Sequence, residues 1–173
     1  MELHSHLTKE DFNVKSYGTG GKVKLPGASA DKSNVYDFGT PYNDIYQDIR
    51  RKNAGLYTET GNLHILDRNR RIKKHLERFQ ETEEVFDLLT TCEERVYDQV
   101  LEHIDTREAK DNSVVHIVNF DITDNLDEAT VGTFLITDFC TMIEKTSDLD
   151  DEIEDVLSAF EEKTHKRILL YCL

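Results

Sequence analysis

The sequence predicts an α/β domain in which helices cover both faces of a parallel sheet. Three observations carry this. Two short, mostly apolar runs, at 85–91 and 114–120, have the length and composition of buried parallel strands. The segments that follow them carry apolar residues at helical spacing. The 173 residues, 38% apolar and 9% aromatic, suit one packed domain over the whole of 1–173 rather than a disordered segment.

The elements follow in order. Residues 3–10 read as a short helix. Phe12-Asn13-Val14-Lys15-Ser16-Tyr17 alternates as a strand, which Gly18-Thr19-Gly20-Gly21 ends. Residues 22–41 look irregular, with a further break at Pro26-Gly27. Thr40 and Pro41 suit the N-cap and first turn of a helix that puts Ile45, Tyr46 and Ile49 on one face. Residues 58–74 are polar and basic around a small apolar island of Leu63, Ile65 and Leu66. After the strand at 85–91, residues 93–107 form a helix with Val96, Tyr97, Val100, Leu101 and Ile104 on one side. A strand at 114–120 leads to a helix over 126–145, its inner side Ala129, Gly132, Ile136, Phe139 and Ile143. Ser147 and Asp148 cap a last helix with Leu149, Ile153, Val156, Leu157 and Phe160 on one face. Ile168-Leu169-Leu170-Tyr171 suits an edge strand.

Composition narrows the function. A net charge of −14 argues against a surface built for nucleic acid or an anionic membrane. No apolar run approaches the ~18 residues that span a bilayer. Cys92, Cys140 and Cys172 show no CxxC pairing and read as reduced thiols of the cytosol or nucleus.

Ligands of open parallel sheets bind beyond the carboxyl ends of the strands. Gly18-Thr19-Gly20-Gly21-Lys22 matches neither GK[ST] nor GxGxxG and reads as a turn. A cysteine-based phosphatase needs Cys-x5-Arg, so that backbone N–H groups and the guanidinium surround the phosphate. Six positions after Cys92 stands Asp98, and six after Cys140 stands Thr146, so no cysteine of the chain meets the pattern. Cys92 then reads as a structural thiol. Asp121 and Asp124, on the loop after the strand at 114–120, suit general acid work, metal binding or capping of the next helix, with capping favoured. No histidine spacing supports a metal, and none is expected. The basic run Arg68-Asn69-Arg70-Arg71-Ile72-Lys73-Lys74 is either a solvated loop or a contact for an anionic partner. The acidic helix face over 148–162, with eight carboxylates, is either solvated or a dock for a basic partner.

Several blocks stand in the order found in one family. They are Val23-Lys24-Leu25-Pro26-Gly27, Asn34-Val35-Tyr36-Asp37-Phe38, Leu66-Asp67-Arg68-Asn69, Glu77-Arg78-Phe79-Gln80, Cys92-Glu93-Glu94-Arg95-Val96-Tyr97-Asp98 and Asn119-Phe120-Asp121-Ile122-Thr123-Asp124-Asn125. Through them the chain resembles the serine phosphatases of the RNA polymerase II carboxy-terminal repeats, relatives of the low-molecular-weight tyrosine phosphatases. The resemblance implies a phosphotyrosine-phosphatase-I-like fold and a metal-free, cofactor-free hydrolase. It implies action on phosphoserine at the fifth heptad position, with the next proline in cis, in the nucleus, with the cytoplasm as a second compartment. The partners implied are the phosphorylated repeats and a symplekin-type scaffold of mRNA 3′-end processing, with no direct nucleic acid and no membrane. By resemblance Asp124 is the general acid, with Asp121 the nearby alternative, and Lys24, Leu25, Pro26, Tyr57, Leu66 and Asp67 line the substrate groove.

The family's nucleophilic Cys and its Arg do not carry over. Met1-Glu2-Leu3-His4 resembles the first turn of the helix that follows the Cys-x5-Arg-Ser loop, so a strand and loop of about 15 residues have no counterpart. Three readings stand: an incomplete sequence, a short form that binds without catalysis, or a rebuilt sheet. The chain as it stands is expected to be inactive alone. In this fold the first strand lies between those at 12–17 and 85–91, and each buried unmet backbone group costs about 1–3 kcal/mol. The expectation is therefore a poorly stable chain, or direct pairing of the two flanking strands. A thermal scan of the purified chain should show no cooperative transition above about 50 °C.

Overall fold

The computed structural model describes residues 1–29, 31–107, 114–123 and 125–172. They fold as two compact units. One holds residues 13–82 with Met1 and 3–5, and the other holds residues 83–173 with Glu2 and 6–12. The expected first helix is present as α1 (Glu2–Lys9).

The first unit carries β1 (Tyr17–Gly18), β2 (Val23–Ser29), β3 (Lys32–Tyr36), α2 (Tyr42–Glu59), α3 (Asn62–Ile72) and β4 (Glu77–Arg78). The strand expected at 12–17 shrinks to β1, which pairs in parallel with the equally short β4. A strand extends only as far as a ladder supports it, and among the described residues no ladder includes 12–16. Among the described residues no ladder joins 12–17 to 85–91.

The segment read as irregular is a hairpin, β2 antiparallel to β3. Pro26 lacks an N–H, but it falls where the register shifts between Leu25 and Ser29, so no ladder bond is lost. Gly27 is required there, because a Cβ would stand 1.3 Å from the Lys32 carbonyl oxygen.

Helix α2 starts one residue later than expected, with Pro41 at the N-cap and no side-chain cap. Its first N–H, that of Tyr42, instead donates to the Lys74 carbonyl at 2.8 Å. The polar stretch at 58–74, to which the sequence assigns no element, is largely α3. Its inward stripe is Asn62, Leu63, Leu66 and Asn69. Two asparagines on the buried face weaken the apolar periodicity that would have announced the helix. The core of this unit is Tyr42, Ile45, Ile49, Tyr57, Leu63 and Leu66, with Leu25, Tyr36 and Leu76 packed against it.

The second unit carries β5 (Leu88–Thr91), α4 (Glu94–Thr106), β6 (His116–Asn119), α5 (Leu126–Ile143), α6 (Leu149–Thr164) and β7 (Leu169–Cys172). β5 and β6 are parallel, Leu88 opposite His116 through Thr91 opposite Asn119. β7 closes the far edge antiparallel to β6. All four β6 residues are buried, as a central strand demands. Phe120, Phe139 and Phe160 meet edge to face, with centroids 5.3–6.1 Å apart, and with Ile117, Ile136 and Ile153 they form the core. Helix α6 is capped as its sequence predicts, Asp148 accepting from the Asp150 and Asp151 N–H groups at 3.1 and 3.4 Å.

Two substitutions test these assignments by urea denaturation. Gly27→Ala drives a methyl into backbone and should cost about 1–3 kcal/mol. Asp148→Ala, losing the cap, should cost about 1 kcal/mol.

Candidate functional site

Alternation along β2 sets the first candidate region. Lys24 and Pro26 face solvent, while Leu25 between them turns toward the core. Opposite, Asn34 of β3 is buried. Its amide nitrogen donates to the Pro26 carbonyl and to the Tyr57 hydroxyl, both at 3.0 Å. Its amide oxygen accepts from Lys52 Nζ at 3.0 Å. Lys52 also pairs with Asp48 at 2.8 Å, and Asp48 accepts from the Tyr36 hydroxyl at 2.7 Å. One polar network thus ties both strands of the hairpin to α2.

Helix α2 is shaped for this. It breaks at Asn53, where φ is −165° and ψ is 89°. The Asn53 side chain accepts from the Leu56 N–H at 3.1 Å and so restarts the helix. Tyr57 sits on that restarted turn. Lys52 and Tyr36 hold the Asp48 carboxyl below its usual range, with the Lys52 hydrogen bond the larger cause. Burial, reinforced by Asp48, pushes the Tyr36 phenol above its usual range, so it stays protonated and donates.

A separate candidate region lies at the carboxyl ends of β5 and β6 in the second unit. Thr91 Oγ1 and Asn119 Oδ1 are 2.8 Å apart and buried. The Phe120 N–H donates to the Thr91 carbonyl at 2.9 Å, and the Ile122 N–H to the Cys92 carbonyl at 3.1 Å. Ile122 seats against Gly132 of α5, where a Cβ would stand 2.3 Å from Ile122 Cδ1. These contacts anchor the start of the loop. Asp121 is exposed. Asp124 lies outside the described residues. Capping of α5 falls to neither Asp121 nor, among the described residues, any other carboxylate: the Asn125 side chain accepts from the Glu128 N–H at 2.9 Å. Cys92 is exposed rather than packed as a structural thiol. Among the described residues no group of three or more His, Cys, Asp or Glu is placed to hold a metal.

Of the groove residues expected from resemblance, the fold brings Pro26 and Tyr57 together through Asn34. Leu25, Tyr57 and Leu66 share one core cluster, with Tyr57 and Leu66 buried. Lys24 projects on the same strand face as Pro26. Asp67 is engaged along α3 by Arg70 at 2.5 Å and by Arg71. The basic run is not a solvated loop. Arg70 also reaches Asn43 at 2.8 Å and stacks on Tyr46, and Lys73 donates to the Ser16 carbonyl at 2.8 Å. Asn34, Asp48 and Lys52 do not stand out in the sequence as site residues. The available signals are the i,i+4 pairing of Asp48 with Lys52 and the place of Asn34 in one of the family blocks.

Comparison with known proteins decides the family. The family model described as Ssu72-like protein matches residues 1–173. The chain belongs to the Ssu72 family. It is 53% identical over 169 residues, 98% of this chain and 87% of the relative, to a Gallus gallus protein named as the RNA polymerase II C-terminal domain phosphatase SSU72. The Homo sapiens protein of that name is also 53% identical, over the same shares of the two chains. A crystal structure of the serine phosphatase of RNA polymerase II CTD from Drosophila melanogaster superposes with a TM-score of 0.98 at 52% identity, covering 100% of this chain and 91% of that one. A second structure is that of the D. melanogaster Ssu72 and symplekin bound to a cis peptidomimetic CTD phospho-Ser5 peptide. It has a TM-score of 0.96 at 50% identity and covers 99% and 90% of the two chains. The α/β fold expected from the sequence is the fold of these phosphatases.

The Asp48 network makes a pH prediction. A carboxyl depressed in the folded state contributes stability that is fully present above its unfolded pKa of about 3.9 and is lost as pH falls through the folded value. Asp48→Asn should therefore lower stability near neutrality. Its difference from the parent in urea midpoints should shrink as the pH drops below about 4.

Proposed function

We propose that this chain binds the phosphorylated heptad repeats of the RNA polymerase II tail and is the body of a protein serine phosphatase acting during transcription and mRNA 3′-end processing. The observation that carries the reading is the Asn34 clamp, which holds the Pro26 carbonyl and the Tyr57 hydroxyl on one amide at 3.0 Å each. It is supported by a 50% identical structure that holds a cis phospho-Ser5 peptide with symplekin. Lys24 and Pro26 form the exposed rim of the groove, Leu25, Tyr57 and Leu66 its floor, and Asp67 orders the adjoining turn of α3. A phosphoserine followed by cis proline is the substrate, symplekin the scaffold and the nucleus the compartment.

The reaction is two-step. A Cys thiolate attacks phosphorus, the bond from phosphorus to the serine oxygen breaks, and Asp124 gives that oxygen a proton. Water then hydrolyses the cysteinyl phosphate. The residues that this chain supplies are Asp124, or Asp121 beside it, and the groove. No cysteine in the sequence has an Arg six positions on. That observation favours a second reading for the chain by itself, a noncatalytic binding or scaffold form.

Two measurements test this. The purified chain should show no vanadate-sensitive hydrolysis of p-nitrophenyl phosphate, and turnover would show that a nucleophile is present after all. A phospho-Ser5 heptad peptide should bind, and Tyr57→Phe, which frees one of the clamp's bonds, should weaken binding by about threefold to tenfold. An affinity no better than that of the unphosphorylated peptide would overturn the groove assignment.

A further inference from the structure

We propose that Cys172, His116 and Asp150 form a separate reactive centre, a hydrogen-bonded relay that makes Cys172 the most peroxide-reactive of the three thiols in this chain. None of its three residues belongs to the proposed groove.

The fold builds the relay from three elements. His116 and Cys172 are register partners on β6 and β7, so their side chains leave the same face of the sheet side by side. The capped first turn of α6 delivers Asp150 to that face. His116 Nδ1 lies 3.1 Å from Cys172 Sγ, and Nε2 lies 2.7 Å from Asp150 Oδ1. A carboxylate only accepts, so Nε2 carries the ring proton and donates to Asp150. Nδ1 therefore has a lone pair facing Cys172, and the S–H donates to it. Only 1% of the His116 side chain is exposed, which locks the ring in this orientation. A thiol beside a base that a third group orients is the arrangement of an activated nucleophile.

Access separates the three thiols. Cys172 and Cys92 are exposed and Cys140 is buried. Burial pushes the Cys140 thiol up to about 11. Desolvation by the surrounding chain also raises the Cys92 thiol, and among the described residues no imidazole is hydrogen-bonded to it. The groups around Cys172 are His116 from β6, Asp150 and Glu154 from α6, and Tyr97 from α4. Burial and the two carboxylates hold the Cys172 thiol above its usual range. Cys172 therefore rests as a thiol, and the S–H proton moves during attack rather than before it.

The step balances. Cys172 sulfur attacks one oxygen of hydrogen peroxide, an S–O bond forms and the O–O bond breaks. Sulfur is oxidised by two electrons and the peroxide is reduced. The thiol proton passes to His116 Nδ1 and on to the departing hydroxide, so the products are a sulfenic acid and one water.

The test oxidises the full chain with limiting hydrogen peroxide, traps sulfenic acid with dimedone and reads each cysteine peptide by mass spectrometry. Cys172 should be trapped at least about tenfold faster than Cys92, a modest share of what a positioned base contributes. Asp150→Asn and His116→Gln should bring Cys172 down to the rate of Cys92. Cys140 labelling reports whether a variant has unfolded. Equal rates for Cys172 and Cys92 in the parent chain would overturn the proposal. So would an unchanged ratio in Asp150→Asn while Cys140 stays protected.

Discussion

A buried amide has to find its hydrogen bonds inside the protein, and Asn34 finds three. It holds the carbonyl of Pro26, the hydroxyl of Tyr57 and the ammonium of Lys52, each at 3.0 Å. A buried donor left without a partner costs about 1–3 kcal/mol, so these contacts form together or not at all. The hairpin has almost no core of its own. Its place on α2 is set by this amide and by the Tyr36 and Asp48 contact beside it. The proposed groove rests on that placement.

Other local features serve the same end. Gly27 lets the two hairpin strands approach closely next to Pro26. The break at Asn53 turns the last part of α2 so that Tyr57 meets Asn34. In the second unit the shared end of β5 and β6, with Ile122 seated on Gly132, fixes where the acidic loop begins. The two candidate regions are thus set up by different kinds of contact. One is a polar network on a helix, and the other is the end of a parallel sheet, where ligands of this fold class bind.

The second unit was legible in the sequence because burial wrote itself there in apolar runs. Residues 85–91 and 114–120 contain β5 and β6, the spacing from Val96 to Ile104 marks α4, and Asp148 caps α6 as read. The first unit hid itself. Pro26-Gly27 looks like a chain break, yet a register shift absorbs the proline and close packing demands the glycine. Asn62 and Asn69 stand where a helix would show apolar residues, so no apolar stripe announces α3. The groove residues came from resemblance, since nothing in the spacing of Lys24, Tyr57 and Asp67 announces a common surface. Asn34, which ties Pro26 to Tyr57, is a polar residue whose importance rests on long-range partners that no local pattern reveals.

If the hairpin, α2 and α3 form one phosphopeptide groove organised by Asn34, a bound peptide must perturb those elements together. Amide and side-chain NMR shifts of the isotopically labelled chain, recorded as a phospho-Ser5 heptad peptide with a locked cis proline is added, test this most directly. Saturable shifts centred on Lys24, Leu25, Asn34 and Tyr57 are expected, and they should be absent with the locked trans peptide. Shifts confined to the Arg70 and Lys73 face of α3, or the same response to both peptides, would contradict the groove.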